Sequence, residues 1–251
     1  MQVQSYLNRI GVNKIKTPSL EFLTELQNRH LLSIPFEDLD IPERRIELDL
    51  NKIYEKIIQA KRGGFCYELN GLFHWLLTSL GFKVDMLSAR VFNSKNNEFG
   101  PEFDHMTLLV HFPKIDKYYL TDVGFGDSFR IPVDIAGGEV NDVSGYYRIK
   151  KGNNSLELQQ ENQEKWLPQY SFSLSPKKLS DYEEMCGIQQ DSPDSHFRTR
   201  NLCTIATGTG RITLNNKSLT ITEGKSKNKI SFESKEEFNA YLKSYFDIEL
   251  Q

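Results

Sequence analysis

The chain has 251 residues, of which 38% are hydrophobic, enough for one or two conventional cores. Its formal net charge is −3, with no basic stripe or acidic tail, so nucleic acid and membrane surfaces are not expected as partners. No apolar run approaches the roughly 20 residues of a membrane span, and the first residues lack a signal-peptide pattern. Three cysteines do not make a disulfide framework. These features predict a cytoplasmic protein with free thiols.

Residues 1–82 are predicted to be mostly helical. Thr17 and Pro18 are typical of a helix start, as N-cap and first helical residue, and leucines at helical spacing follow. Asp49 is predicted to cap a second helix. A third helix is predicted from about Cys66, where apolar residues recur at helical spacing until Gly81 supplies a stop signal.

After residue 82 the pattern changes to short strands separated by turns. Strands are predicted at 84–92, 106–112, 117–123, 146–149, 156–160 and 165–174. Residues 180–200 are polar and irregular, which indicates a crossover without regular structure. A meander is predicted over 202–207, 211–214 and 219–222, with the lysines of 225–229 at a solvated hairpin tip. Ser234 is predicted to cap a final amphipathic helix. Helices, then strands, then mixed elements predict an α+β fold.

Cys66 is the strongest candidate for chemistry. It follows a glycine pair directly and precedes the amphipathic helix, so it lies at the first turn of that helix. Unpaired backbone N–H groups and the positive end of the helix dipole favour a thiolate there, which predicts a lowered pKa for the Cys66 thiol. Cys186 and Cys203 have no such setting and are predicted to be packing residues.

A thiolate nucleophile needs an imidazole beside it and a carboxylate that orients the imidazole. Four of the five histidines are poorly placed to pair with Cys66. His30 is predicted on a helix face, and His74 about two turns along the Cys66 helix. His111 is predicted inside a strand, and His196 in a polar stretch. His105 instead lies at the start of a predicted strand, where its side chain can face a cleft.

Asp122 is the matching carboxylate. The strands around 106–112 and 117–123 are joined by a short connection and should pair as a hairpin. In a hairpin the start of the first strand lies near the end of the second, so His105 and Asp122 become cross-strand neighbours. The Gly124-Phe125-Gly126 turn follows directly, and its glycines would let a thioester-bearing ligand approach the backbone closely.

The motifs that carry these residues resemble the arylamine N-acetyltransferase family. The resemblance is dense from residue 6 to 126 and thins afterwards. It rests on Arg62–Asn70 (RGGFCYELN), His105-Met106, Asp122–Gly126 (DVGFG) and Ile34–Asp40 (IPFEDLD), with scattered matches later at Phe197 and Thr207. Asp38 stands where the family usually has asparagine, residues 101–104 differ from the common pattern, and Asp127 replaces a frequent glycine.

The resemblance implies a fold of three parts: a helical bundle at 1–82 that carries the nucleophilic cysteine, an antiparallel β-barrel-like domain at 83–185 that carries the histidine and aspartate, and an α/β lid at 186–251. It implies acetyl transfer from acetyl-CoA to the nitrogen, or hydroxylamine oxygen, of arylamines, arylhydroxylamines and arylhydrazines, with no metal. The intermediate would be an acetyl-cysteine in a ping-pong mechanism.

The resemblance also assigns binding roles. It places three aromatic residues at the acceptor pocket and three small residues at the CoA site. The acceptor residues are Phe36, Phe125 and Phe197, and the CoA residues are Gly124, Gly126 and Thr207. The family pattern further suggests an ion pair between Glu37 and Arg62.

Other functions remain open from the residues alone. A thiol hydrolase or transglutaminase-like enzyme uses the same triad chemistry. A non-catalytic CoA-binding module could keep the fold, although binding needs no aligned triad. A zinc site at Cys66, His105 and Asp122 is disfavoured, because no other cysteine or histidine has short ligand spacing.

Overall fold

A computed structural model describes residues 1–42, 45–152, 154–199 and 201–250. It has a mixed α/β fold with two antiparallel sheets and helices at both ends of the chain. The helices are α1 (Val3–Arg9), α2 (Leu20–Ser33), α3 (Leu50–Tyr54), α4 (Cys66–Ser79), α5 (Glu183–Asp191), α6 (His196–Thr199) and α7 (Lys235–Phe246). A π-helical turn, Glu55–Gln59, extends α3, and a 3₁₀ turn, Leu179–Tyr182, precedes α5.

Side-chain caps begin three of these helices. The prediction that Thr17 caps α2 is wrong: Ser19 does so, and its Oγ accepts from the Phe22 N–H at 3.2 Å. Pro18 therefore lies outside the helix, in a bend directly before the capping residue. Asp49 caps α3 and Ser234 caps α7, as the sequence predicted.

The larger sheet is antiparallel and nearly closed, like a barrel. Its strands run in the order β6-β5-β4-β2-β10-β9-β8-β7, with β3 paired to β2, and β6 also touches β8. They are β2 (Lys83–Asn93), β3 (Glu98–Phe99), β4 (His105–Phe112), β5 (Lys117–Thr121), β6 (Val133–Asp134), β7 (Glu139–Asp142), β8 (Gly145–Lys151), β9 (Leu156–Asn162) and β10 (Lys165–Lys177). The predicted hairpin is confirmed as β4 and β5, which pair antiparallel.

The smaller sheet joins the two ends of the chain. Its order is β1-β11-β12-β13-β14, so β1, from the first forty residues, pairs with β11. The strands are β1 (Phe36–Glu37), β11 (Leu202–Ala206), β12 (Gly210–Asn215), β13 (Ser218–Glu223) and β14 (Ser226–Ser231). The predicted hairpin tip at 225–229 is wrong, because most of these residues form the edge strand β14.

Residues 180–200 also differ from their prediction. They contain α5 and α6 rather than an irregular crossover. Glutamine hydrogen bonds hold α5 in place: Gln189 Nε2 donates to the Asp104 carbonyl at 2.8 Å, and Gln190 Nε2 donates to the Ile46 carbonyl at 3.2 Å. A helix anchored by polar side chains has little apolar periodicity to detect.

The cores place α4 at the centre of the molecule. One cluster joins the N-terminal helices, α4 and one face of the large sheet, a second fills the other face of that sheet, and a third lies between the small sheet and α7. Helix α4 packs against both β2 and β4. Since Cys66 begins α4 and His105 begins β4, this packing brings the two ends together.

Candidate active site

The start of α4 is held by a buried charge network. Cys66 is its first residue and is only 4% exposed. Glu68 accepts a hydrogen bond from the Phe65 N–H at 3.1 Å, which satisfies one of the free N–H groups at this end. Lys56 in turn donates to both carboxylate oxygens of Glu68, each at 3.0 Å. The backbone that presents the thiol is therefore fixed.

The segment before Cys66 is tied to β1. The predicted ion pair is present: Arg62 Nη2 lies 2.8 Å from Glu37 Oε1 and 2.9 Å from Asp40 Oδ1. The Glu37 N–H donates to the Gly64 carbonyl at 2.9 Å. At Gly63 an added Cβ would lie 2.2 Å from the Pro35 carbonyl oxygen, so only glycine allows this approach.

His105 and Asp122 are hydrogen-bonded in the interior. His105 Nε2 lies 2.7 Å from Asp122 Oδ2, and the two residues are 2% and 0% exposed. Antiparallel β4 and β5 bring them together, as the hairpin argument predicted. With Nε2 bonded to the carboxylate, the other ring nitrogen of His105 is the one free for acid–base work.

Asp122 accepts several further hydrogen bonds. Its Oδ1 accepts from Asn70 Nδ2 and from the Gly124 N–H, both at 2.9 Å, and its Oδ2 accepts from the Tyr170 hydroxyl at 2.9 Å. Burial favours the neutral acid, but the charge on His105 and these donors outweigh it, so the pKa of Asp122 is lowered. Asp122 is therefore a carboxylate.

Asn70 and Tyr170 are site residues that the sequence reasoning missed. Asn70 also donates to the Met106 carbonyl at 2.6 Å and accepts from the Val123 N–H at 3.0 Å, so it joins α4 to β4 and to the segment after β5. Its place one turn along α4 from Cys66 was a signal that could have found it. The position of Tyr170 depends on the pairing of β10 with β2, for which the sequence carried no local signal.

The lowered pKa predicted for Cys66 is contradicted. Burial raises the pKa of this thiol well above its usual value. Negative charge on Cys186, Asp104 and Asp122 raises the pKa further, whereas the hydrogen bond from the Met106 N–H lowers it. Placement at a helix start therefore does not decide the charge of Cys66; its desolvation does. A counter-charge is needed to make the thiolate.

Gly124 lies against Cys66. An added Cβ there would come within 2.9 Å of the Cys66 Cα and carbonyl oxygen and 2.7 Å of Asn70 Nδ2. Contacts under about 3 Å are not tolerated, so a side chain would push this loop away from Cys66. Gly126 has a φ of +85°, a conformation that favours glycine.

A cavity of about 350 Å³ opens onto these groups. It is walled by residues from α4, both sheets and the loop after β5. The lining comprises Phe36, Asp38, Cys66, Val91, Asp104, His105, Gly124, Phe125, Gly126, Asp127, Phe197, Leu202, Thr204, Arg211 and Thr213. Seven of the nine predicted site residues are thus gathered here, and Asp122 lies behind His105.

Thr207 is the predicted site residue that lies elsewhere. Within the described part of the chain it is not in the cavity lining. It lies in the β11–β12 turn, where its carbonyl accepts from Arg130 Nη1 at 2.6 Å. The same guanidinium donates to the Gly210 carbonyl at 2.6 Å, so Arg130 links this turn to the loop between β5 and β6.

Aromatic rings form the apolar walls. Phe125 meets the His105 ring and the Tyr170 ring edge to face, each at a centroid distance of 5.1 Å. Phe197 meets Phe65 at 6.0 Å. Flat apolar walls next to a thiol and an imidazole suit a planar aromatic substrate.

Three other histidines are engaged away from the cavity. His30 bonds the Tyr6 hydroxyl at 2.6 Å, and His74 bonds the Val84 carbonyl at 3.2 Å. His111 stacks on Tyr118 at 4.2 Å. The side chain of His196 lies outside the described residues. Among the described residues, no group of three or more His, Cys, Asp or Glu side chains is arranged to hold a metal ion, and no helix is both long and apolar enough for a transmembrane span.

Comparison with known proteins matches the whole chain to one family. The profile of a family described as N-acetyltransferase matches residues 19–251. Arylamine N-acetyltransferase 2 of Mesocricetus auratus is 31% identical over all of this chain and 95% of its own length. Human arylamine N-acetyltransferase 1 is 29% identical over the same shares.

Comparison with solved structures points to the same family. The Mycobacterium smegmatis arylamine N-acetyltransferase superposes with a TM-score of 0.93 at 30% identity, covering 100% of this chain and 93% of that one. The chain belongs to the arylamine N-acetyltransferase family. A Bacillus cereus arylamine N-acetyltransferase with a TM-score of 0.92 and 26% identity, covering both chains fully, is described as having a unique Cys-His-Glu catalytic triad. In the present family member an aspartate, Asp122, bonds the histidine.

Proposed function

We propose that the protein transfers an acetyl group from acetyl-CoA to arylamines, arylhydroxylamines and arylhydrazines through an acetyl-Cys66 intermediate. The observation that carries this proposal is the joint placement of Cys66 and His105 on one aromatic-walled cavity, with Asp122 bonded behind His105 at 2.7 Å. Family membership supports acetyl-CoA as donor and an aromatic amine as acceptor.

The first half-reaction acetylates the enzyme. His105 takes the Cys66 proton to form the thiolate, whose Sγ attacks the thioester carbonyl, and Asp122 stabilises the imidazolium. The carbonyl–sulfur bond to CoA then breaks, and CoA leaves with the proton from His105. Because burial raises the pKa of Cys66, removal of this proton is the step for which the chain needs a base.

The second half-reaction hands the acetyl group on. The neutral acceptor nitrogen attacks the acetyl-Cys66 carbonyl, His105 takes the nitrogen-bound proton, and the carbon–Sγ bond breaks. Arylamines and arylhydrazines are weakly basic, so their lone pair is available at neutral pH. For a hydroxylamine the attacking atom can be nitrogen or oxygen.

The start of α4 is proposed to stabilise the developing oxyanion. The N–H of Cys66 is in the first turn, where backbone donors have no partner within the helix. Gly124 is proposed for the path of acetyl-CoA, because its lack of a side chain lets this loop lie directly against Cys66. Gly126 is proposed for the same CoA path, and Phe36, Phe125 and Phe197 for the acceptor ring.

The three-part organisation is also a proposal. In it, residues 1–82 carry the nucleophile, 83–185 carry His105 and Asp122, and 186–251 act as a lid. The small sheet supports this use of the last segment, because Leu202, Thr204 and Arg211 form part of the cavity wall. The role of Thr207 in CoA binding and a cytoplasmic location stay predictions.

Intact mass spectrometry tests the mechanism directly. After mixing with acetyl-CoA and without acceptor, the protein should gain one acetyl group, mapped to Cys66, and lose it when aniline is added. Cys66→Ser should stay unmodified and inactive while keeping its fold, because an alcohol is not ionised at neutral pH. The buried Cys186 and Cys203 supply matched controls, and Cys186→Ala and Cys203→Ala should still be acetylated.

The outcome separates the alternatives. Consumption of an amide or peptide substrate without acetyl-CoA would favour a thiol hydrolase or transglutaminase-like enzyme. Binding of CoA with no acetylation would indicate a binding module. Substantial turnover by Cys66→Ser would rule out the covalent mechanism.

A further inference from the structure

Three aspartates line the cavity, Asp38, Asp104 and Asp127, and none of them has a part in the mechanism above. Asp104 directly precedes His105 and lines the same cavity as Cys66 and Phe197. It is half-buried, so its charge is less screened than that of a surface carboxylate.

The Asp104 carboxylate is held in one place. Its Oδ1 accepts from Gln189 Nε2 at 3.1 Å, and the same amide donates to the Asp104 carbonyl at 2.8 Å. Its Oδ2 packs against Gly100, where an added Cβ would lie 2.6 Å away. Neither the Gln189 amide nor Gly100 brings a positive charge to this carboxylate.

The other two aspartates of the wall differ from Asp104. Asp38 is buried, and its Oδ1 accepts from the Leu202 N–H at 2.6 Å. Asp127 Oδ1 pairs with Arg211 Nε at 3.2 Å, so the two charges largely cancel. Across residues 1–42, 45–152, 154–199 and 201–250, no lysine or arginine nitrogen is found within 4.0 Å of the Asp104 carboxylate. An acceptor in this cavity therefore meets an uncompensated negative charge at Asp104.

We propose that Asp104 selects acceptors by charge, favouring aromatic amines whose ring bears a cationic or N–H donor substituent over those that bear a carboxylate. This inference rests on the proposed acetyl transfer and specifies its acceptor class. A cationic substituent gains Coulomb attraction and an N–H donor gains a hydrogen bond, whereas an aryl carboxylate is repelled. Asp104 is a specificity residue here and takes no part in proton transfer.

Three acceptors of nearly equal shape test this idea: 4-aminobenzamidine, 4-aminobenzamide and 4-aminobenzoate, which are cationic, neutral and anionic. The acetyl-enzyme is prepared first with acetyl-CoA, and the second-order rate of its deacetylation by each amine is then measured. This isolates the acceptor step from CoA binding. Aniline serves as the unsubstituted reference.

The decisive measurement compares rate ratios between enzyme forms. Substituents change the intrinsic reactivity of the amine, but that effect cancels when the benzamidine-to-benzoate ratio of the wild type is divided by that of Asp104→Asn. We expect the ratio to fall about tenfold in Asp104→Asn, since the amide keeps the shape and loses the charge. Glu102→Gln is the matched control: it removes the same charge from the same loop at an exposed position and should leave the ratio unchanged.

The outcomes distinguish this inference from the proposed function. Failure of acetyl-CoA to label Cys66, or of aniline to remove the label, would overturn acetyl transfer itself. Normal labelling and transfer with a ratio that is the same in wild type and Asp104→Asn would overturn only the role of Asp104. An equal fall in Glu102→Gln would also overturn it, because it would show an effect of overall charge.

Discussion

Asp122 is the most constrained residue of the site. Two of its hydrogen-bond donors come from side chains far apart in the sequence, Asn70 and Tyr170, and a third is the imidazole of His105. Donors to both oxygens fix the carboxylate plane, so Asp122 fixes the ring orientation of His105 as well. A carboxylate in this position stabilises the imidazolium without being protonated itself.

Replacing Asp122 by asparagine should damage the chemistry far more than acceptor binding. An amide can bond the wrong tautomer of His105 and cannot stabilise its positive charge, so we expect a loss in kcat on the order of 10⁴-fold. Tyr170→Phe is the graded control, because it removes one donor and leaves the carboxylate. Its loss should be much smaller. Near-normal acetylation of Cys66 by Asp122→Asn would place the third catalytic group elsewhere.

His105 should control the reactivity of Cys66 at low pH. Burial raises the pKa of the thiol, but an imidazolium about 4 Å from a thiolate is worth about 4 kcal/mol at an effective dielectric constant of 20, or about 3 pKa units. We therefore expect iodoacetamide to alkylate Cys66 much faster at pH 6 in the wild type than in His105→Gln. In the variant, alkylation should rise only at alkaline pH, as burial alone dictates. Identical pH profiles for the two proteins would show that no ion pair forms.

At this scale the sequence predicted the residues better than their surroundings. Cys66, His105 and Asp122 could be chosen because a helix start and a hairpin are local features, visible in spacing and turns. The pKa of the Cys66 thiol was predicted to shift in the wrong direction, because desolvation depends on everything that packs over the thiol. The same limit applies to Tyr170, whose contact with Asp122 follows from the register of β10 against β2.

The elements around Cys66 are joined by a compact set of charges. The carboxylates of Glu37, Asp40 and Glu68 surround the cations of Lys56 and Arg62, and Glu37 and Glu68 are almost fully buried. Lys56 belongs to the π-helical turn after α3, a distortion that changes which face a side chain presents. The network thereby links α3, β1 and the start of α4.

Removing Lys56 should destabilise the protein strongly. Lys56→Met would leave the buried Glu68 without its counter-ion, and breaking such a pair from one side costs about 3 kcal/mol. We expect the free energy of unfolding, measured by urea titration, to fall by about that amount. The exposed ion pair of Lys52 and Glu47 gives the control, since Lys52→Met should change stability little. Equal effects of the two substitutions would contradict the role of burial in the network.

Two elements escaped the sequence reasoning for the same reason. Helix α5 is anchored through Gln189 and Gln190, and β14 presents lysines to solvent at the edge of the small sheet. Apolar periodicity detects elements that bury a stripe of hydrocarbon, and each of these buries few apolar side chains, such as Cys186 in α5 and Ile230 in β14. Charged residues on an edge strand oppose pairing with another chain. The resulting polar, lysine-rich sequence resembles that of a loop, which explains why β14 was not predicted as a strand.

At the scale of the whole molecule, the cavity is assembled from distant parts of the chain. Phe36 comes from β1, Cys66 from α4, His105 from β4 and Thr204 from β11. The pairing of β1 with β11 joins residues more than 160 positions apart, and no local sequence pattern indicates this pairing. The sequence could therefore predict the α+β class, while the shape of the cavity required the packed structure.

The stability of the protein is also expected to depend on pH through a buried histidine that has no part in catalysis. His30 is fully buried in α2, its Nδ1 bonds the Tyr6 hydroxyl, and its Nε2 has no partner among the described residues. Burial, with the charge of Arg9, lowers the pKa of His30 to about 3. Protonation would place a charge in the core without an acceptor.

The sign of the effect on stability follows from linkage. In the unfolded chain His30 binds a proton below pH about 6.5, whereas in the folded protein it stays neutral down to pH about 3. Between these values the unfolded state binds more protons, so stability falls as pH falls, by at most about 1.4 kcal/mol per pH unit from this residue. The carboxyl of Asp122, whose pKa is lowered in the folded protein, adds its own loss only below pH about 4, where the unfolded carboxyl begins to bind a proton.

His30→Gln should therefore flatten the stability curve on the acid side. A glutamine oxygen can still accept from the Tyr6 hydroxyl but does not titrate, so between pH 4.5 and 6.5 the variant should lose less stability per pH unit than the wild type, by about 1 kcal/mol. Above pH 7, where His30 is neutral in both states, the two curves should run parallel, which makes the comparison independent of any constant cost of the substitution. Urea titrations at a series of pH values give both slopes, and His30→Phe serves if the glutamine variant does not fold. Equal slopes of stability against pH below pH 6.5 would mean that His30 titrates alike in the folded and unfolded chains. Burial of His30 would then not cause the loss of stability at low pH.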